Sequence, residues 1–173
     1  MRVLLFLVAV LTLGLAGGCN KQSAQIDGVD LPKSVFKPSN KQLSPAMWDL
    51  QPLLDTGGMP QDKFIAVLWA SWCLSCMAEH KYLVQLAEQG IPMVGISFKD
   101  KSVAALQALD LLGNPFRVQF ADKESKLATQ LGGNTTPHAF VIDAKHRLRA
   151  TVIGGINQRR WEEKGLGEWF ANL

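Results

Sequence analysis

Two kinds of hydrophobic pattern run along this chain. Residues 64–69 (Phe-Ile-Ala-Val-Leu-Trp) and 93–98 (Met-Val-Gly-Ile-Ser-Phe) are nearly unbroken apolar runs, as in strands covered on both faces. Between them a helix is predicted over 73–89, closed by Gly90 with Pro92 just beyond. A second helix is predicted over 103–112, apolar at 103, 106, 109 and 112 and stopped by Gly113-Asn114-Pro115. Residues 116–120 alternate like a short strand, and 125–131 form a short helix ending at Gly132-Gly133. Strands over 139–142 and 148–153, with a turn near Asp143-Ala144-Lys145, read as a hairpin. The last helix starts after Asn157, a good N-cap, and buries Trp161, Trp169 and Phe170.

The order is therefore β-α-β-α-β-α-β-β-α. Its first half implies parallel strands joined by crossover helices, and its second half an antiparallel hairpin with a closing helix. The expected fold class is α/β, a mixed central sheet flanked by helices.

The N-terminus follows other rules. After Arg2, residues 3–16 are almost wholly apolar. As a helix they would span only about 21 Å, short of the ~30 Å hydrocarbon core, which suits a secretory leader better than a full span. Leu15-Ala16-Gly17-Gly18-Cys19 resembles a lipobox, in which Cys19 becomes the lipidated first residue, although Ala16 stands where a large aliphatic side chain is preferred. Cleavage after the small residues and retention as an uncleaved anchor stay open beside it. All three export the rest of the chain. Residues 19–45 are polar, carry Pro32, Pro38 and Pro45, and read as a tether with a short strand near Val35-Phe36. The expected division is 1–18 leader, 19–45 tether and 46–173 domain, the domain acting as a monomer.

With 47% hydrophobic and 19% charged residues the chain is globular in composition. Its net charge of +3, without any Lys/Arg stripe, gives no reason to expect nucleic acid as a partner.

Export changes how the cysteines are read. Of three, Cys19 belongs to the leader, so the domain holds one close pair, Cys73 and Cys76. A disulfide closing so short a loop stabilises little, which points to redox chemistry instead. The pair sits where a buried strand turns into a helix. There the unpaired N–H groups and the helix dipole favour an anion, so the Cys73 thiol should ionise easily. Cys76 lies one turn later, within disulfide reach. No cofactor beyond a redox-active Cys73–Cys76 disulfide is expected. A plain structural disulfide and a Cys73–Cys76–His80 metal site are the competing readings, although zinc takes about four ligands and no second cysteine pair exists.

Residues 64–169 resemble the thioredoxin-like reductases of cytochrome c maturation, the DsbE/CcmG type within the TlpA-like family. The likeness is carried by Trp69-Ala70-Ser71-Trp72-Cys73, Cys76 with Ala78-Glu79-His80, Gln89-Gly90-Ile91 and Lys99-Asp100. It continues through Leu112-Gly113-Asn114-Pro115-Phe116, Phe140-Val141-Ile142-Asp143 and Asn157 with Trp161-Glu162-Glu163. The resemblance implies the thioredoxin plan with an extra helix and strand in the middle. It implies Cys73 as the attacking thiol, Cys76 as the resolving one, and Glu79 as an acidic residue near the pair that affects its titration. Within one turn of Cys76 that carboxylate could accept the buried thiol's proton, the competing reading being a solvated charge on the helix surface. Thr136-Pro137 matches the position of a cis proline facing the redox pair, so that Trp72, Thr136, Pro137 and His138 would contact an extended substrate. It further implies residence in the bacterial periplasm on a membrane, a membrane thiol reductase as electron donor, and apocytochrome c, with its Cys-x-x-Cys-His disulfide, as client.

Three departures bear on this. Leu74 and Ser75 replace the family's proline and threonine between the cysteines, and Met77 replaces a basic residue beside them. Thr135-Thr136-Pro137-His138 replaces a Gly-Ala before the proline and an acidic residue after it. A histidine at 138 is open to three readings: it points into the substrate groove or solvent, it titrates near physiological pH, or it joins the cysteines as a soft-metal ligand. Two rival functions stay open: disulfide exchange with other envelope clients, and copper handling through Cys73, Cys76 and His138 or His80.

Overall fold

The computed structural model of the protein describes residues 25–26, 29–30 and 36–173. Short strands β1 (Gln25–Ile26) and β2 (Val29–Asp30) pair antiparallel with each other. The main sheet has seven strands: β3 (Lys37–Gln42), β4 (Leu54–Asp55), β5 (Phe64–Trp69), β6 (Met93–Phe98), β7 (Val118–Asp122), β8 (His138–Ile142) and β9 (Arg147–Ile153). Their order across it is β3-β9-β8-β5-β6-β7-β4. Strands β5, β6 and β7 run parallel, and the other neighbours pair antiparallel.

Every residue of β5 and β6 is buried, as their unbroken apolar runs imply. The side-chain period of two splits β5 between two cores. Ile65, Val67 and Trp69 join the cluster holding Leu83 and Leu86 of α1 (Leu74–Glu88), Ala105 and Leu109 of α2 (Ser102–Leu112), and Trp169 and Phe170 of α4 (Leu166–Ala171). Phe64, Ala66 and Leu68 join the other, with Leu127 and Leu131 of α3 (Lys126–Leu131) and Met47 and Trp48 of a 3-10 turn, Pro45–Trp48. This is the mixed, doubly covered thioredoxin-like sheet expected, with α2 and β7 as the additional helix and strand.

Four details differ from expectation. Residues 36–45, expected in the tether, contribute to the fold, because β3 lies along β9 at the sheet edge and Phe36 and Leu43 are buried. The Lys-Pro-Ser-Asn-Lys-Gln sequence of β3 is polar since none of these residues is buried, and an edge strand tolerates Pro38. The strand expected at 116–120 begins at Val118, because Phe116 packs inward against Trp69 and His80. Helix α2 faces the core through Ala105 and Leu109, leaving Val103 67% and Leu112 44% exposed. The last helix is two pieces, a π-helical turn Arg159–Glu163 and α4, separated by Gly165 in a left-handed conformation; Asn157 does cap the first, its Oδ1 accepting from Arg160 N at 3.0 Å.

The leader, 1–18, and Cys19 lie outside the described residues, as does Val35. Among the described residues no helix is long and apolar enough to cross a membrane.

Gly95 of β6 shows how tightly the sheet is filled beneath the site. A Cβ there would lie 2.0 Å from Gln119 Oε1 and 2.6 Å from a ring carbon of Phe116. That same Gln119 Oε1 accepts the Trp69 indole N–H at 3.0 Å. Gly95→Ala should therefore lower the denaturant midpoint by the equivalent of about 1–3 kcal/mol at unchanged m-value. A wild-type midpoint would contradict this packing.

Candidate functional site

Parallel strands β5 and β6 end on the same sheet edge, and the antiparallel register of β8, with His138 opposite Leu68 and Ile153, starts β8 and ends β9 there too. Four connections meet at this edge: 70–73, 99–101, 132–137 and 154–158. Cys73, Asp100, Thr136 and Pro137 sit on them, Cys76 and Glu79 follow on α1, and His138 begins β8.

Cys73 caps α1. Its backbone is extended, and its sulfur accepts the amide of Cys76 at 3.2 Å, one of the donors that a helix start leaves unpaired. Ser75 Oγ lies 3.5 Å from the same sulfur. Cys73 and Cys76 form a disulfide, their Cα atoms 5.2 Å apart. Cys73 is 6% exposed and Cys76 1%, so a partner sulfur reaches Cys73 first. Beside it Trp72 is 58% and Leu74 87% exposed, a small apolar rim.

The turn that delivers Cys73 is latched by a residue that the sequence marked only as part of a matching segment. Asp100, buried, accepts Ser71 N at 2.6 Å, Ser71 Oγ at 2.9 Å and Lys101 N at 2.7 Å. The Trp72 indole N–H reaches Lys99 O at 3.4 Å in the same connection. A carboxylate accepting three donors fixes both turns at once.

Thr136-Pro137 is a cis peptide bond, as expected. Pro137 O accepts Gly154 N at 2.9 Å, tying the 132–137 and 154–158 connections together. Thr136 is half-buried.

Glu79, one turn after Cys76, is buried against the 154–156 connection rather than exposed on α1. Burial is the main cause that lifts its carboxyl to about 8; the Ile156 backbone hydrogen bond and the Arg160 charge pull weakly the other way. Its Oε1 has no hydrogen-bond partner among the described residues.

His138 and His80 are placed differently from the expectations for them. His138 is 3% exposed and stacks on Phe140, ring centroids 4.3 Å apart, with neither ring nitrogen partnered among the described residues. Burial, with the Lys37 charge as a lesser cause, lowers its pKa to about 4, so it stays neutral at physiological pH instead of titrating there. His80 Nε2 donates to Gly113 O at 2.7 Å, which ties α1 to the end of α2. Among the described residues no group of three or more His, Cys, Asp or Glu is placed to hold a metal ion.

A thioredoxin-like sheet with a Cys-x-x-Cys pair capping its first long helix and a cis proline on the same edge defines a dithiol–disulfide protein. Comparison with known proteins agrees. The Redoxin family model matches residues 50–168. Thiol:disulfide interchange protein DsbE of Tatumella citrea is 34% identical over 141 residues, 82% of this chain and 74% of that protein. The proteins of the same name from Escherichia coli (strain K12) and Pasteurella multocida (strain Pm70) are each 41% identical, over 102 and 97 residues. Those segments cover 59% and 56% of this chain and 55% and 54% of the relatives, so the chain spans about half the length of these two. The chain belongs to the Redoxin family, among the DsbE-type thiol:disulfide interchange proteins. Solved structures share the fold: a DsbF homologue from Corynebacterium diphtheriae (TM-score 0.54, 21% identity, 79% of this chain and 85% of that one) is one. A secreted Mycobacterium tuberculosis disulfide oxidoreductase is another (TM-score 0.54, 18% identity, 65% and 83%).

Two of the buried titratable groups, Glu79 and His138, make stability pH-dependent in opposite directions. Glu79 has a raised pKa, so the stability present below about 4.5 is lost as pH rises toward about 8. Glu79→Gln should then stabilise the oxidised protein at pH 8.5 by more than about 1.4 kcal/mol, the equivalent of a tenfold change in proton affinity, and have little effect at pH 4. His138 has a lowered pKa, so stability is lost as pH falls from about 6.5 through about 4, and His138→Phe should remove that acid-side loss. Denaturant melts across pH check both; parallel wild-type and variant curves would contradict them.

Proposed function

We propose that this protein is a thiol–disulfide oxidoreductase that reduces protein disulfides outside the cytoplasm. The observation that carries the reading is the Cys73 sulfur at the start of α1, accepting a helix amide and more exposed than its partner. In the reduced protein the Cys73 thiolate attacks a client disulfide; a Cys73–client bond forms and one client thiolate leaves. Cys76 gives up its proton and attacks the Cys73 sulfur, remaking the disulfide seen here and releasing the second client thiolate. Two electrons pass to the client, whose two thiolates take up protons from solvent, while the proton of Cys76 stays on the protein until it too is lost to solvent.

Glu79 is the proton acceptor for Cys76 in this scheme. A carboxyl with a pKa of about 8 is matched to a thiol, so proton transfer between them is nearly balanced. Trp72, Thr136 and Pro137 bind the client chain across the pair, with His138 buried just beneath as a neutral support.

The client we propose is apocytochrome c, whose Cys-x-x-Cys-His thiols must be free for haem attachment. The segments shared with the cytochrome c maturation reductases support it, as does the name thiol:disulfide interchange protein DsbE borne by relatives. The apolar leader supports residence in the bacterial periplasm on a membrane, held by a lipidated Cys19 or by the leader itself. A membrane thiol reductase would return the electrons.

Cys76→Ala should accumulate mixed disulfides on Cys73, both with a disulfide-bridged Cys-x-x-Cys-His peptide and with envelope proteins carrying that motif. Cys73→Ala should lose exchange entirely. Non-reducing gels with mass spectrometry read both. Adducts in Cys73→Ala but not in Cys76→Ala would reverse the roles, and adducts that never contain the haem-attachment motif would remove apocytochrome c as client.

A further inference from the structure

The carboxyl of Glu79 is held in a pocket built by the opposite end of the chain. Gly155, left-handed at φ +72, passes so close that a Cβ on it would lie 1.8 Å from Glu79 Oε2. Only a glycine fits there. The next residue, Ile156, gives its backbone N–H to the carboxylate. The carbonyl of Gly155 would place a partial negative charge beside this group, and that carbonyl is taken up by Arg160, whose Nη1 donates to it at 2.6 Å. Arg160 also lies over Gly154, its guanidinium nitrogens 3.1 Å from where a Cβ would stand. The arginine is aimed by its own backbone: Arg160 N donates to Asn157 Oδ1 at 3.0 Å at the start of the π-helical turn.

We infer that Arg160 is a positioning residue for Glu79: by clamping the Gly155 carbonyl and presenting its charge, it holds the 154–156 connection against the carboxyl and sets the pH at which Glu79 takes the proton of Cys76. The inference rests on the proposed role of Glu79 as proton acceptor. During resolution, Cys76 S–H gives its proton to the Glu79 carboxylate. The Cys76 thiolate then forms the bond to Cys73 sulfur while the Cys73–client bond breaks and the client thiolate leaves. Glu79 afterwards loses the proton to solvent.

The charges around Glu79 are few. The connection 154–156 contributes backbone, and the π-helical turn contributes Arg160, whose attraction favours the ionised carboxylate. On α1 the titratable group one turn before Glu79 is Cys76 when reduced, with Cys73 at the helix cap. One turn onward Tyr82 is engaged with Glu162, its hydroxyl donating to Oε1 at 3.2 Å, and the adjacent His80 is bound to Gly113 O. Removing the Arg160 charge leaves desolvation less opposed, so Glu79 should hold its proton to higher pH.

The test uses the full chain and the disulfide-bridged Cys-x-x-Cys-His peptide in single turnover, following release of the peptide from its mixed disulfide as a function of pH. The wild-type release rate should rise with pH through the Glu79 ionisation. In Arg160→Gln that midpoint should move to higher pH, with a slower rate at neutral pH, and Arg160→Lys should restore most of the shift. Carboxyl-carbon NMR of glutamate-labelled oxidised protein should show the same upward movement for Glu79, independent of turnover. In a Glu79→Gln background, Arg160→Gln should change nothing further. An unmoved Glu79 midpoint in Arg160→Gln, or an equal effect of Arg160→Gln with and without Glu79, would overturn the role of Arg160 while leaving Glu79 as acceptor. A release profile that Glu79→Gln itself does not alter would overturn both.

Discussion

A sulfur atom accepting one of the free amides in the first turn of a helix is the contact on which the rest of this site depends. Cys73 does what a serine or aspartate does at an ordinary N-cap, and its Sγ keeps that contact while it is also bonded to Cys76. With the disulfide closed, the amide of Cys76 faces a neutral sulfur. With it open, the same amide and the dipole behind it face a thiolate, whose charge they stabilise. Reduction of the pair thus strengthens a contact already in place, and no rearrangement of α1 is required.

Much of the fold serves to keep that contact where a partner can reach it. β5 is buried along its whole length and delivers Cys73 to the sheet edge through a turn that Asp100 latches. The indole of Trp69 is pinned below by Gln119, and the space for that arrangement exists because Gly95 has no side chain. At the same end of the sheet the Pro137 carbonyl and the Gly154 amide join the 132–137 and 154–158 connections. Burial at this edge has a thermodynamic cost, since Glu79 and His138 are both held in their neutral forms at physiological pH. For Glu79 the proposed return is a carboxyl whose proton affinity lies close to that of a thiol. His138 has no such role in the exchange, and its stack on Phe140 is that of a core residue.

How far this could be read in the residues themselves depends on what each signal measures. The apolar runs of β5 and β6 follow from burial on both faces, and the Cys-x-x-Cys pair from its place at a strand-to-helix turn; both were legible. So was the cis bond at Thr136-Pro137, though through family likeness rather than local chemistry. Edge strands β3 and β4 were not, because a polar, proline-bearing segment looks like a tether until its pairing with a neighbour is known. The phase of α2 slipped because four regularly spaced apolar residues outvoted the small Ala105, which is what the core admits. His138 and Arg160 escaped for a related reason. A side chain's surroundings come from segments distant in sequence, so a histidine after a proline gives no sign of the Phe140 ring it lies on, nor an arginine of the glycine carbonyl it will clamp.

The proposed chemistry depends on the acidity of one thiol. Ultraviolet thiolate absorbance of the reduced protein, titrated with pH and differenced against Cys73→Ala, isolates the ionisation of Cys73. A midpoint clearly below the ~8.5 of a free cysteine is predicted, because the helix start stabilises the anion. A midpoint at or above that value would mean that the capping contact does not activate the sulfur, and the proposed chemistry would lose its basis.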